Sequence, residues 1–402
     1  MPIYKWEGKT AKGAVKKGEM EAPNEAAIRI HLRQQNIIPT KIVSKGTEIK
    51  ISLPFFKKKV NQRSIAVFTR QLATMIDAGL PLVQSLEILS LQQESKVFKN
   101  IIREIREDVE GGSTFAGALK KHPATFNELY TNLVVAGEEG GILDSILTRL
   151  SNYIEKAEAL KKKVKSALFY PATIVGVAVI VVMILMIFVI PVFETMFKSA
   201  GQNLPLPTLI VLTLSKLIKK YVIIIIPALI LLFYLLKKYH QTESGKAVID
   251  SLLLKLPVFG MLLKKIAVAR FSRTLATLIS SGVPILDGLN IVSRTSGNRT
   301  IEIAILNARS SIREGETIAE PLSRGGIFPP MVIQMISVGE STGALDSMLS
   351  KIADFYEDEV DIAVANLTSL LEPFLMIFLG IVIGGVVIAM YLPIFNMASA
   401  IG

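Results

Sequence analysis

Four carboxylates occupy fixed positions in a short motif that the chain contains twice. The motif G-E-x-x-G-x-L-D is spelled GEEGGILD from Gly137 and GESTGALD from Gly339. Its carboxylates could bind a hard cation or meet a basic partner. The candidates are Glu138, Asp144, Glu340 and Asp346. Two carboxylates per motif fall well short of the roughly 6 to 8 oxygens that calcium prefers, so we expect no metal site here.

The alternative interpretation of the motif is a tight turn between two helices. Its glycines, Gly137, Gly141, Gly339 and Gly343, permit positive φ, and its leucine can pack into a core. The aspartate then lies in the first turn of the next helix, where the helix dipole favours an anion. Surface residues around such a turn are candidate contacts for a protein partner. That candidate set is Gly137, Glu138, Gly141, Gly339, Glu340, Gly343, Arg70 and Arg273.

Other chemistry is largely excluded by residue types. The chain has no cysteine, so disulfides, thiolate zinc sites and a cysteine nucleophile are ruled out. Its three histidines are scattered, and the glycine-rich GGSTFAG and GESTGA lack the lysine of a phosphate-binding loop. No nucleophile, base and orienting group can be assembled from this inventory. We therefore expect no enzymatic activity and no cofactor.

The elements that would position these residues are duplicated. FTRQLATMIDAGLPL from Phe68 aligns with FSRTLATLISSGVPI from Phe271, in register with the two motifs, which indicates two homologous domains. Apolar residues in each copy have helical spacing, and glycines and prolines separate the stretches. Each copy is therefore predicted to be a small antiparallel helical bundle at the base of a membrane-spanning helix.

Three uncharged segments are candidates for membrane spans. Half of the residues are hydrophobic, yet the formal charge is +11, which fits soluble domains joined to membrane segments. The segments between Lys165 and Glu194 and from Pro373 onward exceed the roughly 20 residues that a span needs. Tyr221 to Leu236 is shorter, but the lysines at its ends can reach the interface. A buried or re-entrant helix is the alternative for this middle segment.

Matching prolines lie in the two duplicated segments. The pairs are Pro171 with Pro191 and Pro373 with Pro393, each separated by about 30 Å of helix, the thickness of the hydrocarbon core. We expect them to mark span boundaries, where a proline in a first helical turn loses little hydrogen bonding; a functional kink is the alternative. Glu372, next to Pro373, is expected at the membrane interface.

The order of spans predicts a topology. The middle span belongs to neither copy and returns the chain, so both bundles lie on one side. Lysines cluster before the first span and after the second, which places that side in the cytoplasm. The N-terminal MPIYKWEGKT has no apolar signal segment, so we expect a cytoplasmic N-terminus and an external C-terminus.

The N-terminal residues predict a small β-β-α-β module. IYKWEG and AVKKGEM have strand character around a Lys-Gly turn, and a helix follows with apolar residues at Ala27, Ile30 and Leu32. The fold class is thus a mainly α membrane protein with this module in front. The predicted organisation is 1–50 α/β module, 51–63 basic linker, 64–165 cytoplasmic helical bundle 1, 166–193 transmembrane helix 1, 194–220 periplasmic loop, 221–236 transmembrane helix 2, 237–371 cytoplasmic helical bundle 2, 372–395 transmembrane helix 3 and 396–402 periplasmic tail.

These motifs resemble a known family. The duplicated F-x-R-x-L-A-T bundles, the G-E-x-x-G-x-L motifs, the spans ending in PVF or PIF and the YKWEG module are similar to the type II secretion F and type IV pilus platform proteins over essentially the whole chain. The YKWEG module and the Glu372-Pro373 step are more similar to the pilus branch, the PilC-like proteins.

The resemblance implies a non-enzymatic, multi-pass protein of the bacterial inner membrane. It would couple a hexameric cytoplasmic assembly ATPase, and a retraction ATPase in dynamic pili, to insertion of pilin or pseudopilin subunits. Inner-membrane alignment proteins and lipids are further implied partners, and no nucleic acid is. Gly380, Gly384 and Gly385 would permit close helix approach in a homo-oligomer such as a dimer. A membrane transport or channel component is the alternative function, although its expected polar residues are nearly absent from the spans.

Overall fold

The computed structural model describes residues 3–10, 15–35, 37–44, 60–199 and 205–401. The chain divides into two compact units, Met1–Lys58 and Lys59–Gly402. Most of the expected basic linker, and the Lys-Gly turn expected between the first two strands, lie outside the described residues.

The N-terminal unit is a three-stranded antiparallel sheet with one helix. Its elements are β1 (Ile3–Thr10), β2 (Val15–Glu21), α1 (Glu25–Gln34) and β3 (Ile37–Ser44), with strand order β2-β1-β3. The Asn24 side chain accepts a hydrogen bond from Ala27 N–H and so caps α1. The predicted β-β-α-β module is confirmed. Of the three apolar helix positions expected, Leu32 is buried and Ala27 packs on the core, but Ile30 is exposed and Ile28 is buried instead.

The first repeat contains six helices. They are α2 (Gln62–Asp77), α3 (Leu82–Gln92), α4 (Lys96–Glu110), α5 (Phe115–Lys120), α6 (Glu128–Gly140) and α7 (Leu143–Ile184). Side chains of Asn61, Ser95, Thr114 and Asn127 cap the helices that follow them. At the centre, the Phe68 ring meets Phe98 edge to face with centroids 5.5 Å apart.

The second repeat has six helices in the same order. They are α11 (Phe259–Ser280), α12 (Ile285–Thr295), α13 (Arg299–Arg313), α14 (Ala319–Arg324), α15 (Pro330–Thr342) and α16 (Leu345–Ile401). Phe271 packs on Phe328 with centroids 4.7 Å apart, at the positions that Phe68 and Phe126 hold in the first repeat. One continuous cluster of buried apolar side chains runs through both repeats, so they form a single body.

Three apolar helices leave this body. Among the described residues, the helices long and apolar enough to cross a membrane are Leu143–Met196, Leu206–His240 and Leu345–Leu392. Only 17%, 0% and 11% of their most apolar windows are buried inside the protein. Such surface requires lipid or a partner to cover it. The first helix comprises α7, a π-helical turn (Leu185–Val189) and α8 (Ile190–Ser199).

The loop expected over 194–220 is mostly helical in the structure. Helix α8 extends to Ser199, and α9 runs from Leu206 to His240. Lys216 on α9 pairs with Glu194 on α8 at 2.7 Å, and Thr208 Oγ1 donates to the Ala389 carbonyl on α16 at 2.6 Å. The expectation was wrong because charged residues limit an apolar segment without ending a helix, and lysine is a good helix former. Helix α10 (Glu243–Lys255) then leads to the second repeat.

Three of the four prolines lie inside a helix, and the fourth, Pro191, is the second residue of α8. Pro171 lies inside α7, and Pro373 and Pro393 lie inside α16. Pro191 follows the π-helical turn, in which Ile190 N–H donates to the Leu185 carbonyl five residues back. A wider turn removes the clash between a proline ring and the carbonyl four residues earlier. The expected position in a first turn is therefore wrong for Pro171, Pro373 and Pro393, while the position of all four prolines relative to the membrane stays a prediction.

Candidate functional site

The motif glutamates bind the start of a short helix. Glu138 on α6 accepts hydrogen bonds from Phe115 N–H, at 2.6 Å, and from Ala116 N–H, at 2.8 Å. In the second repeat, both oxygens of Glu340 accept from Ile318 N–H at 2.9 Å, directly before α14. The first N–H groups of a helix have no partner within it, and a carboxylate there is further favoured by the helix dipole. Each glutamate therefore connects two helices of its bundle.

The motif glycines have two different functions. A Cβ on Gly137 would lie 3.1 Å from Ile146 Cβ, and one on Gly339 would lie 3.0 Å from Leu345 Cα, so these positions allow the next helix to approach closely. Gly141 and Gly343 have φ values of 65° and 72° and end α6 and α15 in the left-handed conformation.

The motif carboxylates are not grouped as ligands of one cation in the described residues. Asp144 and Asp346 lie in the first turns of α7 and α16. Among the described residues, no three side chains of His, Asp or Glu lie close enough together to hold a metal ion. The carboxylates of Glu138 and Glu340 are instead engaged by backbone donors.

Arg70 forms a clamp between the first and last helices of repeat one. Its Nε and Nη2 donate to Glu155 on α7 at 2.8 and 2.7 Å, and Nη2 also donates to Asn152 Oδ1 at 2.5 Å. Such a bidentate pair is shorter and stronger than a single hydrogen bond between neutral groups. The hydrogen bond from Arg70 lowers the pKa of the Glu155 carboxyl, which lies in the polar part of α7.

Arg273 forms the equivalent clamp in repeat two, with one more acid. Its Nε donates to Glu357 on α16 at 2.8 Å, and Nη2 donates to Asp354. The first repeat has Asn152 at the Asp354 position. The Arg273 side chain is 13% exposed against 39% for Arg70. Burial raises the pKa of Asp354, but hydrogen bonds from Arg273 and Lys156 outweigh it and the net pKa is lowered.

The additional acid connects the two repeats. Lys156 on α7 reaches Asp354 at 2.9 Å and Glu357 at 3.8 Å, and Lys163 pairs with Asp361. Both members of the second ion pair lie seven residues beyond those of the first, so α7 and α16 run in parallel. Apolar side chains of α7 and α16 pack beside the ion pairs and beyond the second pair, together with Leu262 and Ile266 of α11. Those of α7 and α16 are Leu160, Val164, Val360, Val364 and Leu367. We call this contact the α7–α16 seam.

Two clefts flank the contact between the repeats. One has a volume of about 470 Å³ and the other about 630 Å³, and Tyr153, Lys156 and Arg273 line both. Between them the Tyr153 hydroxyl and Thr274 Oγ1 are 3.2 Å apart. At the edges, Arg294 donates to Glu128 at 2.5 Å, and Arg149 donates to the Ser280 carbonyl. The repeats are therefore joined by polar contacts as well as by the apolar core.

The expected site residues fall into separate regions. The motif glycines and glutamates lie at the turns that precede α7 and α16. The two arginines lie on α2 and α11 and contact α7 and α16 farther along. Glu372 is exposed on α16, next to Pro373. Open space surrounds Gly380, Gly384 and Gly385. Sequence reasoning missed Glu155, Glu357, Asp354 and Lys156; a signal was present, since an acid recurs at 155 and 357 as arginine does at 70 and 273.

Comparison with known families matches this architecture. The model of "Type II secretion system (T2SS), protein F" matches residues 68–191 and again 271–393, which cover the helical repeats and their apolar helices. The N-terminal domain of the same protein matches residues 1–43, which contain the strand module. The chain belongs to the type II secretion system protein F family. Since the model matches twice, the duplication in this chain extends over two whole domains and is not confined to the short motifs.

Relatives in the family have two kinds of names. The chain is 50% identical to the "Type IV pilus assembly protein PilC" of Myxococcus xanthus, over 99% of this chain and 95% of the relative. It is 41% identical to the protein of the same name in Thermus thermophilus, over 100% and 99%. The "Type II secretion system protein F" of Xanthomonas campestris is 35% identical over the whole of both chains.

Proposed function

We propose that this protein is an inner-membrane platform of type IV pilus assembly. In this role it couples a cytoplasmic assembly ATPase to insertion of pilin subunits into the growing fibre, and has no enzymatic activity of its own. Higher identity to relatives named for pilus assembly than to the one named for type II secretion favours the pilus branch.

The main support for the proposal is that each helical bundle continues directly into an apolar helix. Helix α7 spans 42 residues, about 63 Å, from the motif turn of repeat one into its apolar segment. Helix α16 does the same from the turn of repeat two. Because the seam joins both, a force on either bundle is transmitted to two apolar helices together. This arrangement suits a protein that passes on movement produced by another.

The surfaces suggest where partners would bind. The helical bundles would face the cytoplasm with the N-terminus, contact the assembly ATPase and, in a dynamic pilus, the retraction ATPase. The exposed apolar faces of the first and third spans would contact the hydrophobic helices of pilins, and inner-membrane alignment proteins would complete the assembly. The C-terminus would lie in the periplasm.

A helix interruption tests this proposal. Insertion of four glycines after Ala167, beyond the bundle core and before the apolar segment, breaks the continuity of α7. We expect normal membrane insertion and retained ATPase binding, with loss of surface fibres in a complementation assay. The same insertion in the turn at Gly112, where φ is 94°, is the control and should leave fibres present. Normal fibres from the α7 variant would refute the transmission role.

A further inference from the structure

The two repeats contact each other head to tail, which means that each repeat contributes a different surface. The first repeat contributes one face of α7, while the second contributes a different surface made of α11 and the beginning of α16. In such a heterologous contact, each contacting surface has an equivalent on the other repeat that takes no part in the contact. A further copy of the chain can bind to that equivalent surface. Equivalent residues are 203 positions apart in the first helix of each repeat and 202 apart after the motif.

The counterpart of the α7 face lies on α16, where its first residue, Lys351, borders the cleft of about 630 Å³ between the repeats and the others lie farther along the helix. Lys351, Phe355, Asp358 and Ile362 stand at the positions of Arg149, Tyr153, Lys156 and Leu160. Their spacing places them in one stripe along the helix. Phe355 is 47% exposed and Ile362 is 53% exposed, whereas the corresponding Tyr153 and Leu160 are half-buried between the repeats. We call this stripe the α16 face.

The unused counterpart of the α11 surface lies on α2. Val67, Gln71 and Asp77 stand at the positions of Arg270, Thr274 and Ser280. Val67 is 48% exposed, and Gln71 is half-buried where Thr274 is fully buried. We call this surface, together with Arg70 and Asn152, the α2 face.

The two open faces are complementary when they are paired as the inner contact is. Lys351 would take the position of Arg149, and Asp77 would take the position of its partner Ser280. A lysine would therefore face an aspartate. Asp358 would take the position of Lys156, and Asn152 would take the position of its partner Asp354. Asp358 would therefore face Asn152 and the neighbouring Arg70. At Lys351 the positive charge of the inner contact is kept and gains an acidic partner, whereas at Asp358 the charge on the helix is reversed. Phe355 and Ile362 would cover Val67. A pairing that keeps opposite charges together disfavours wrong partners.

We infer that a second copy of this chain docks its α2 face on the α16 face, and so repeats between copies the contact that joins the two repeats. Helices α7 and α16 run parallel across the inner contact. Repeating that contact keeps the apolar helices of neighbouring copies parallel, as one membrane requires. This inference does not depend on the proposed role in fibre assembly.

Crosslinking in membranes tests the geometry, and the chain is suited to it because it contains no cysteine. Full-length Gln71→Cys and Phe355→Cys variants are co-expressed with different tags and treated with a short bismaleimide. We expect a mixed dimer at least about tenfold above the dimer from either variant alone. Lys163→Cys with Asp361→Cys, an ion pair inside one copy, is the control for crosslinker reach.

Two results would overturn the inference. Efficient dimers from a single variant would show an isologous contact, and no mixed dimer despite a working control would leave the α16 face to another occupant such as the ATPase. A charge swap adds a second criterion. Lys351→Glu or Asp77→Lys alone should lower the mixed-dimer yield about fivefold, and both together should restore it. Failure of the double variant to restore the yield would contradict the pairing of these residues.

Discussion

The two arginine clamps allow a comparison within one chain. They share geometry but differ in burial and in the number of acids, so Arg273→Ala should destabilise the protein more than Arg70→Ala. Arg70 and Glu155 are 39% and 45% exposed, in the range of surface pairs that contribute about 0 to 1 kcal/mol. Arg273 and Glu357 are 13% and 23% exposed, nearer to buried pairs, for which loss of one partner costs about 3 to 5 kcal/mol.

The expected cost for Arg273→Ala lies between these limits. Lys156 remains beside Asp354 and Glu357 and offsets part of the uncompensated negative charge. We therefore expect about 2 to 3 kcal/mol for Arg273→Ala and about 0.5 to 1 kcal/mol for Arg70→Ala. At roughly 2 to 4 °C per kcal/mol for a unit of this size, the variants should differ in melting temperature by several degrees.

Thermal unfolding of the full-length protein in nanodiscs, followed by intrinsic fluorescence and circular dichroism, measures this difference. Lys156→Ala is a useful third variant, since its effect should be larger in the Arg273→Ala background than in the Arg70→Ala background. That coupling is the sign of a shared network. An equal or larger effect of Arg70→Ala, or additive effects of Lys156→Ala in both backgrounds, would refute the argument from burial and shared acids.

Three further outcomes are expected from the same structure. Glu138→Gln should cost about 1 to 2 kcal/mol and accelerate hydrogen exchange of the Phe115 and Ala116 amides, with Glu139→Gln as control; unchanged exchange would contradict the capping role. Gly137→Ala should destabilise by moving Ile146, whereas Gly141→Ala should cost about 1 kcal/mol through its positive φ alone; a crystal structure in which the α6–α7 packing is unchanged in Gly137→Ala would contradict the first part. Folding lowers the pKa values of Glu155 and Asp354, so the stability that these carboxylates contribute is present above their ordinary pKa range near about 4 and is lost as the pH falls below it. Neutral variants at both positions should therefore reduce the fall in melting temperature that the protein shows at acid pH.

Sequence reasoning was most successful where a pattern repeats. The duplicated F-x-R helix and G-E-x-x-G-x-L-D motif gave two helical repeats, and the absence of charge gave three apolar segments. Both signals are local or periodic, so they need no knowledge of tertiary contacts. The strand module was also predicted, because alternation and turn residues occur within a few positions of each other.

Contacts over longer separations were not predictable in the same way. Glu138 lies more than twenty residues from the amides that it caps, and the motif alone suggested a cation or a partner. The two helices of the 194–220 segment contact each other through pairs such as Lys216 with Glu194, which no local pattern in the sequence predicts. The proline positions were misjudged for a related reason, since a π-helical turn can accommodate Pro191 without ending the helix.

Several differences between the copies lie where the copies meet. Asn152 against Asp354, Lys156 against Asp358 and Val67 against Arg270 all lie on the faces of the head-to-tail contact. By contrast, the clamp arginine, its glutamate partner at 155 or 357 and the motif glutamate recur in both repeats. Two identical repeats would make the inner contact and an outer contact equally favourable. Divergence on these faces gives each contact its own charge pairs, so that the inner contact can stay closed while the outer faces recognise a different surface.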